Sequence, residues 1–238
     1  MIKTIYRDKD DITIIPCGEG ELLIATDVCA GIGEKKADSL YAPNEMVGSA
    51  TTRVVILELL CQNANIQSLQ YGIAGTYEDT VAPMLEGMYQ ELGKANVEGV
   101  MVNGSHESNM LTTMTSLTIT GIGYRQSRPT RSGEELYVLG KPLVGQAVID
   151  EADKVAGYDD IKELLALHMD CIPLGSRDVL HELEQLGEPY SILEDWQSEE
   201  LSHSAGPATA ILVIGNLPRE VLHKMPIRKL GYLIKENE

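Results

Sequence analysis

The segment from Asn44 to about Gln62 is the strongest constraint on the fold: mostly apolar or small residues, with Arg53 and Glu58 set among Val47, Val54, Val55, Ile56 and Leu57. Asn44 suits the N-cap of a helix, and a helix with so little polar surface has to be covered on most of its sides. The run Val54-Val55-Ile56-Leu57 is stopped by Glu58, and the start Met1-Ile2-Lys3-Thr4-Ile5-Tyr6-Arg7-Asp8 carries charge where a signal peptide needs an apolar stretch. The helix therefore reads as the centre of a packed domain, with no membrane association expected.

The cover has to come from the flanking segments. Asp11–Pro16 and Glu21–Val28 read as two strands joined by Cys17-Gly18-Glu19-Gly20, a β-hairpin. Ala30 to Pro43 has glycines and charges but little periodicity, so an irregular loop is expected. After the helix, Ile66 to Ile73 reads as a strand. Thr76-Tyr77-Glu78-Asp79 then has the form of a capping box, ahead of Val81, Met84, Leu85, Met88 and Leu92 at helical spacing. Val97–Val102 and Thr115–Tyr124 read as further strands around the polar stretch Asn103 to Asn109. This order of strands and helices is α+β or α/β.

Between Arg125 and Glu135 the composition turns to Arg, Ser, Pro and Gly, which places a boundary near 126/127. Beyond it, Leu136–Leu139 reads as a strand and Val144–Val155, Asp159–His168 and Ser176–Leu186 as helices, with Ser176 as an N-cap. Gly206 to Gly215 reads as a buried strand. With 238 residues, 43% of them hydrophobic, the chain can fill such a core unaided, and with no Phe and one Trp it must do so with aliphatic side chains.

The net charge of −17 opposes binding to nucleic acid or anionic lipid. A small anion such as ATP remains compatible, because it arrives with magnesium and docks on local cations and backbone N–H groups. Cys17, Cys29, Cys61 and Cys171 form no CxxC pair and lack a His at zinc-site spacing, so reduced thiols in a cytoplasmic protein are expected.

Three places carry candidate chemistry. Asp27 ends an apolar strand, where a carboxylate reaches solvent, caps a neighbouring backbone or binds a cation such as magnesium. The loop Gly31-Ile32-Gly33-Glu34-Lys35-Lys36 offers two glycines for a close phosphate approach and two cations to neutralise it, though it matches no standard nucleotide motif and equally suits a surface turn. The stretch Asn103 to Asn109 collects Ser105, His106 and Glu107, suited to hydroxyl binding or to a polar turn. His168, His181, His203 and His223 have no partner pattern, and the elbow of a Ser-His-Asp hydrolase is absent.

Thr26-Asp27-Val28-Cys29-Ala30-Gly31-Ile32-Gly33-Glu34-Lys35 resembles the Thr-Asp...Gly-x-Gly-x-Lys segment of the aminoimidazole ribonucleotide synthetase-like (PurM-like) superfamily, which includes thiamine-phosphate kinase, selenophosphate synthetase and a hydrogenase-maturation ATPase. Val102 to Asn109 with Leu117 to Gly123 is similar to that family's second loop and the strand behind it. Tyr6-Arg7-Asp8, Ile12–Pro16, Val47-Gly48 and Arg53-Val54 extend the likeness toward the alpha-ribazole kinase group and its unassigned relatives. The second half is similar mainly at Gly206-Pro207-Ala208-Thr209.

The resemblance implies an α+β chain: a PurM-like N-terminal mixed β-sheet with packed helices over 1–126, binding ATP and metal, then a shortened α/β C-terminal domain over 127–238. It implies a homodimer pairing the N-terminal sheets, and an ATP- and Mg2+-dependent phosphotransferase acting on a small riboside, with alpha-ribazole as the expected acceptor in cobamide salvage. A cyclo-ligase, a thiamine-phosphate kinase type and a non-catalytic nucleotide-binding dimer are the other readings. Asp27 would hold magnesium, with Asp8 or Asp11 as a second ligand. Thr26, Gly31, Gly33, Lys35, Gly104 and Ser105 would line the nucleotide, Lys35 steadying its phosphates, and Arg53 or Glu107 would orient the acceptor. The family's usual Gly-Gly-Glu/Asp-Thr second loop is Asn103-Gly104-Ser105-His106-Glu107 here.

Overall fold

The structure, a computed structural model, describes residues 12–127, 131 and 133–234. β1 (Ile12–Cys17) and β2 (Gly20–Ala30) form the expected hairpin, turning at Gly18, whose φ of +63° suits glycine. The short parallel pair β3 (Ile32–Gly33) and β4 (Leu40–Tyr41) interrupts the loop before α1 (Asn44–Cys61). β5 (Asn65–Ala74) follows, then a π-turn over Tyr77–Val81 that leads into α2 (Ala82–Lys94).

The polar stretch after α2 is itself strand: β6 runs Met101–Glu107 rather than Val97–Val102, parallel to β5 at the sheet edge. Backbone pairing with β5 stabilises it although its side chains are mostly exposed, so the apolar pattern that marks buried strands is missing. β7 (Ser116–Arg125) then fills the centre, giving a five-stranded mixed sheet in the order β1-β2-β7-β5-β6.

β7 alternates buried and half-buried residues along its whole length, so the sheet has one covered face and one open face. α1 and α2 lie on the covered face. Gly121 lets α1 approach closely: a Cβ there would stand 2.4 Å from Val55 Cγ1. Asn44 begins the helix but does not cap it; its amide instead donates to Glu34 Oε2 and to the Asp79 carbonyl, tying α1 to the β3–β4 loop and the π-turn.

The second half builds another five-stranded sheet, antiparallel throughout, from β8 (Glu135–Gly140), β9 (Asp170–Pro173), β10 (Tyr190–Ile192), β11 (Ala210–Ile214) and β12 (Ile227–Leu233), in the order β10-β12-β8-β11-β9. Among these, β9, β10 and β12 are too short or too polar to read from periodicity. The helices are short: α3 (Ala147–Asp150), α4 (Tyr158–Ala166), α5 (Val179–Leu186), α6 (Ser198–Leu201) and α7 (Arg219–Leu222). Asp178 caps α5 by accepting from the His181 N–H, which displaces Ser176 from the role expected of it.

Tyr137, Leu139, Cys171, Ile211 and Val213 of the second sheet join Val55, Ile56, Leu59 and Leu117 of the first half in one continuous apolar cluster. α1 is thus covered by both sheets, which is why it has no polar stripe. The opposite face of the second sheet closes over α5 with Leu136, Leu212, Val179 and Leu183. Among the described residues no helix is long and apolar enough to cross a membrane.

Candidate functional site

Where the two halves meet beside α1 lies a cleft of about 680 Å³. One wall is the end of β2 from Thr26 to Ala30, and α1 contributes Met46, Val47, Ala50, Thr51, Val54 and Glu58. The facing wall comes from the segments Val144–Gln146, Gly175-Ser176 and Gly206–Ala208. Asp27 shares the covered side of β2 with Leu23 and Ala25, so its carboxylate belongs to this cleft, whereas the Thr26 hydroxyl lies across the sheet, 3.0 Å from that of Thr120. Cys29 sits one step further along, half-buried, with its thiol pushed up by burial and then by the Asp27 carboxylate, while a hydrogen bond with Thr51 opposes both.

The glycine loop beyond β2 is fastened down. Gly31 N–H donates to the Thr115 carbonyl, and both Gly31 and Gly33 adopt φ values of +72° and +154° that favour glycine. Asp38 is the buckle: Oδ1 accepts from Thr115 N–H at 2.7 Å, and Oδ2 accepts from the Thr115 hydroxyl at 2.7 Å and from Lys35 N–H at 2.8 Å. The Lys35 ammonium donates to the Ala74 carbonyl and the Thr112 hydroxyl, so it spans from the loop to the end of β5. Burial lowers the Lys35 pKa, with Asp38 working against it.

Burial raises the Asp38 pKa, but the hydrogen bonds from Thr115 and Lys35 outweigh it and the net shift is downward. A carboxyl whose folded pKa lies below its unfolded value contributes stability above the unfolded pKa and loses it as pH falls through the folded one. The melting-temperature gap between the wild type and Asp38→Ala is therefore expected to be widest at neutral pH. It should close below about pH 4. A gap that stayed constant from pH 7 to pH 3 would show that the buckle does not depend on its charge.

The structure separates the other expected residues. Gly104, Ser105 and Glu107 lie on β6, three strands from β2, where Glu107 accepts from Asn109 N–H and neither glycine nor serine reaches the cleft. Arg53 is buried behind the cleft wall, its guanidinium bound to the carbonyls of Ala156 and Ala208. Asp8 and Asp11 lie outside the described residues. Glu58, Thr51, Gln146, Gly175-Ser176 and Gly206-Pro207 were not singled out by the sequence as site residues. The signal available for the last two was a Gly-containing turn abutting an apolar strand.

Among the described residues no three His, Cys, Asp or Glu side chains gather to hold a metal. The donor set still fits magnesium, which typically takes one or two carboxylates and completes its shell with water and phosphate oxygens. Among the described residues, Asp27 and Glu58 are the carboxylates that line the cleft.

No family model matches the sequence, and no curated protein matches it. Solved structures do match the fold. Thiamine monophosphate kinase from Aquifex aeolicus is similar at a TM-score of 0.66 and 12% identity, over 94% of this chain and 89% of that one. The complex of that kinase with AMPPCP and TMP is similar at 0.63 and 12% identity, over 97% and 86%. Phosphoribosylformylglycinamidine synthase II from Thermotoga maritima gives 0.60 at 12% identity, over 94% of this chain but 37% of its own, so the chain spans little more than a third of that enzyme. The fold is PurM-like: a mixed sheet with two helices on one face, followed by a second α+β unit.

Proposed function

We propose that the chain is an ATP- and magnesium-dependent phosphotransferase whose cleft seats an uncharged riboside, alpha-ribazole being the best candidate. The observation that carries this reading is the lining of the cleft. Its walls are apolar or small; among the described lining residues the ionisable oxygens are those of Asp27 and Glu58 with the Tyr41 phenol at the rim, and none is Lys, Arg or His. With the two carboxylates engaged by a metal ion, none of the described lining residues offers a further cation to pair a phosphate on the acceptor. A neutral heterocycle with hydroxyl groups meets apolar walls plus Thr51, Ser176 and Gln146 as hydrogen-bonding partners.

In this reading residues 1–126 supply the nucleotide and metal side and 127–238 the facing wall of the acceptor cleft. Asp27 and Glu58 would hold magnesium, which neutralises phosphate charge when bound. The acceptor hydroxyl oxygen attacks the terminal phosphorus of ATP in line, the bond to the bridging oxygen breaks, ADP leaves, and the hydroxyl proton passes to a carboxylate or to solvent. Such transfer depends on positioning and charge stabilisation, so a cleft held by rigid sheets is sufficient. The four free cysteines fit a reducing compartment, the cytoplasm.

The test is ADP release with alpha-ribazole, other ribosides and thiamine monophosphate as acceptors. Release with alpha-ribazole alone supports the reading, release only with the phosphate ester favours the thiamine-phosphate kinase type, and no release with any riboside overturns it. ATP binding without turnover would point to a non-catalytic nucleotide-binding dimer, a reading favoured by the engagement of Lys35 with Ala74 and Thr112 rather than with the cleft.

The open sheet face supports a homodimer in this reading. Val28 and Ile15 are 60% and 42% exposed on it, beside half-buried Leu22, Ile24, Ile122 and Tyr124. An apolar sheet face of this kind is covered most economically by a second copy of itself. Ile24→Lys with Ile122→Glu is expected to shift the solution mass from twice 26.0 kDa to the single-chain value in light scattering. An unchanged mass would remove this face from the interface.

A further inference from the structure

The cleft's two walls belong to different sheets, and one side chain crosses between them. Arg53 leaves α1, whose neighbouring residue Val54 lines the cleft, and reaches behind the facing wall. Its Nη2 donates to the Ala156 carbonyl at 2.6 Å and to the Ala208 carbonyl at 3.2 Å, and its Nε donates to the same Ala208 carbonyl at 3.3 Å. The guanidinium lies 5.1 Å from the ring centroid of Tyr158, and Nη1 stands 3.9 Å from Glu91 Oε1. Glu91 is held in turn by the Ser49 and Tyr158 hydroxyls and the Lys94 ammonium.

The grip falls on a backbone that needs one. Ala208 adopts a φ of +50°, a left-handed conformation that an alanine takes at a cost, and its carbonyl is the acceptor of two of the Arg53 bonds. The next residue extends the link: the Thr209 carbonyl accepts from Ala156 N–H, and its hydroxyl accepts from Leu143 N–H at 2.9 Å. Leu143 immediately precedes the Val144–Gln146 segment of the cleft. Arg53 thus binds the Gly206–Ala208 segment directly and reaches the Val144–Gln146 segment by way of Thr209 and Leu143, alongside the Tyr158–Glu91 hydrogen bond and the apolar cluster that both halves share.

We propose that Arg53 is a positioning residue that sets the width of the cleft, and through it the affinity for the acceptor, without touching either ligand. The proposal rests on the reading that the cleft seats the acceptor. Lysine keeps the charge but cannot donate to two carbonyls while stacking on Tyr158, so Arg53→Lys separates geometry from charge. Thr209→Val keeps the volume and cuts the link on its far side.

The experiment has two arms. Hydrogen exchange on wild type, Arg53→Lys and Thr209→Val reads the amides of Leu143 and Ala156. Both are expected to lose protection in Arg53→Lys, and Leu143 alone in Thr209→Val, while amides of β5 and β7 stay protected. Steady-state kinetics is expected to show the acceptor KM raised at least about tenfold in Arg53→Lys with the ATP KM unchanged. Full protection of Leu143 and Ala156 in Arg53→Lys would overturn the proposal whatever the reaction is. Lost protection with an unchanged acceptor KM would reduce Arg53 to a fold residue and overturn it too. Absent turnover in the wild type would count against the proposed function, and the acceptor arm would then be read as stabilisation of the wild type by alpha-ribazole, expected to be lost in Arg53→Lys.

Discussion

Asp27→Asn is expected to abolish magnesium-dependent stabilisation by ATP and to lower turnover by at least about 100-fold. Asparagine keeps the shape of this β2 side chain while it removes the charge and exchanges one acceptor oxygen for an N–H donor. An independent reporter sits two residues away. The Cys29 thiol is pushed up by burial and by the Asp27 carboxylate. Removing that charge should move its titration downward, so alkylation of Cys29 in a Cys17→Ser background becomes faster at neutral pH. Cys61 and Cys171 are buried and do not compete. Magnesium added to the wild type should act in the same direction if it binds at Asp27. A variant that kept full magnesium-dependent ATP stabilisation while its Cys29 reactivity shifted would show that the carboxylate faces the cleft but does not hold the metal.

The second large effect concerns the layer that carries the cleft. Where α1 and α2 cross, a Cβ at Gly87 would stand 1.9 Å from the Glu45 carbonyl oxygen and one at Gly48 2.0 Å from the Met84 carbonyl oxygen. Both obstructions are backbone, so no rotamer change relieves them and the helices must separate. Gly87→Ala is expected to cost about 3 kcal/mol in urea denaturation. Gly93→Ala is the control in the same helix: Gly93 is exposed and nothing lies within 4 Å of its added Cβ. There the substitution should stabilise by roughly 0.5–1 kcal/mol, because only the backbone-entropy effect remains. Equal effects at the two positions would mean that the helices do not cross in backbone contact.

Both predictions rest on features with different legibility in the sequence. The hairpin of β1 and β2, the buried helix α1 and the alternating strand β7 are local patterns, and the PurM-like fold was readable from the motifs they carry. The sequence places β6 too early because an edge strand paired in parallel to β5 is held by backbone hydrogen bonds, which leave no apolar signature in Asn103-Gly104-Ser105-His106. A serine before Val179, Leu183 and Leu186 fits the role of a cap, yet Asp178 takes it and Ser176 lines the cleft.

By itself the sequence determined that Asp27 lies in an apolar strand shortly before a glycine loop and that α1 must be covered nearly all round, because both follow from the order of side chains within one element; the strand itself runs on to Ala30 because Val28, Cys29 and Ala30 still pair with β7. Only the tertiary structure decided what faces Asp27. Gly175-Ser176 and Gly206-Pro207 stand more than a hundred residues away, and their approach depends on how the second sheet seats against α1. The same holds for the two long side chains expected to meet ligands: Lys35 bonds to Ala74 and Thr112, and Arg53 to Ala156 and Ala208. A cation's charge is written in the sequence, but its partner is chosen by whichever carbonyl or carboxylate packing brings within hydrogen-bonding reach.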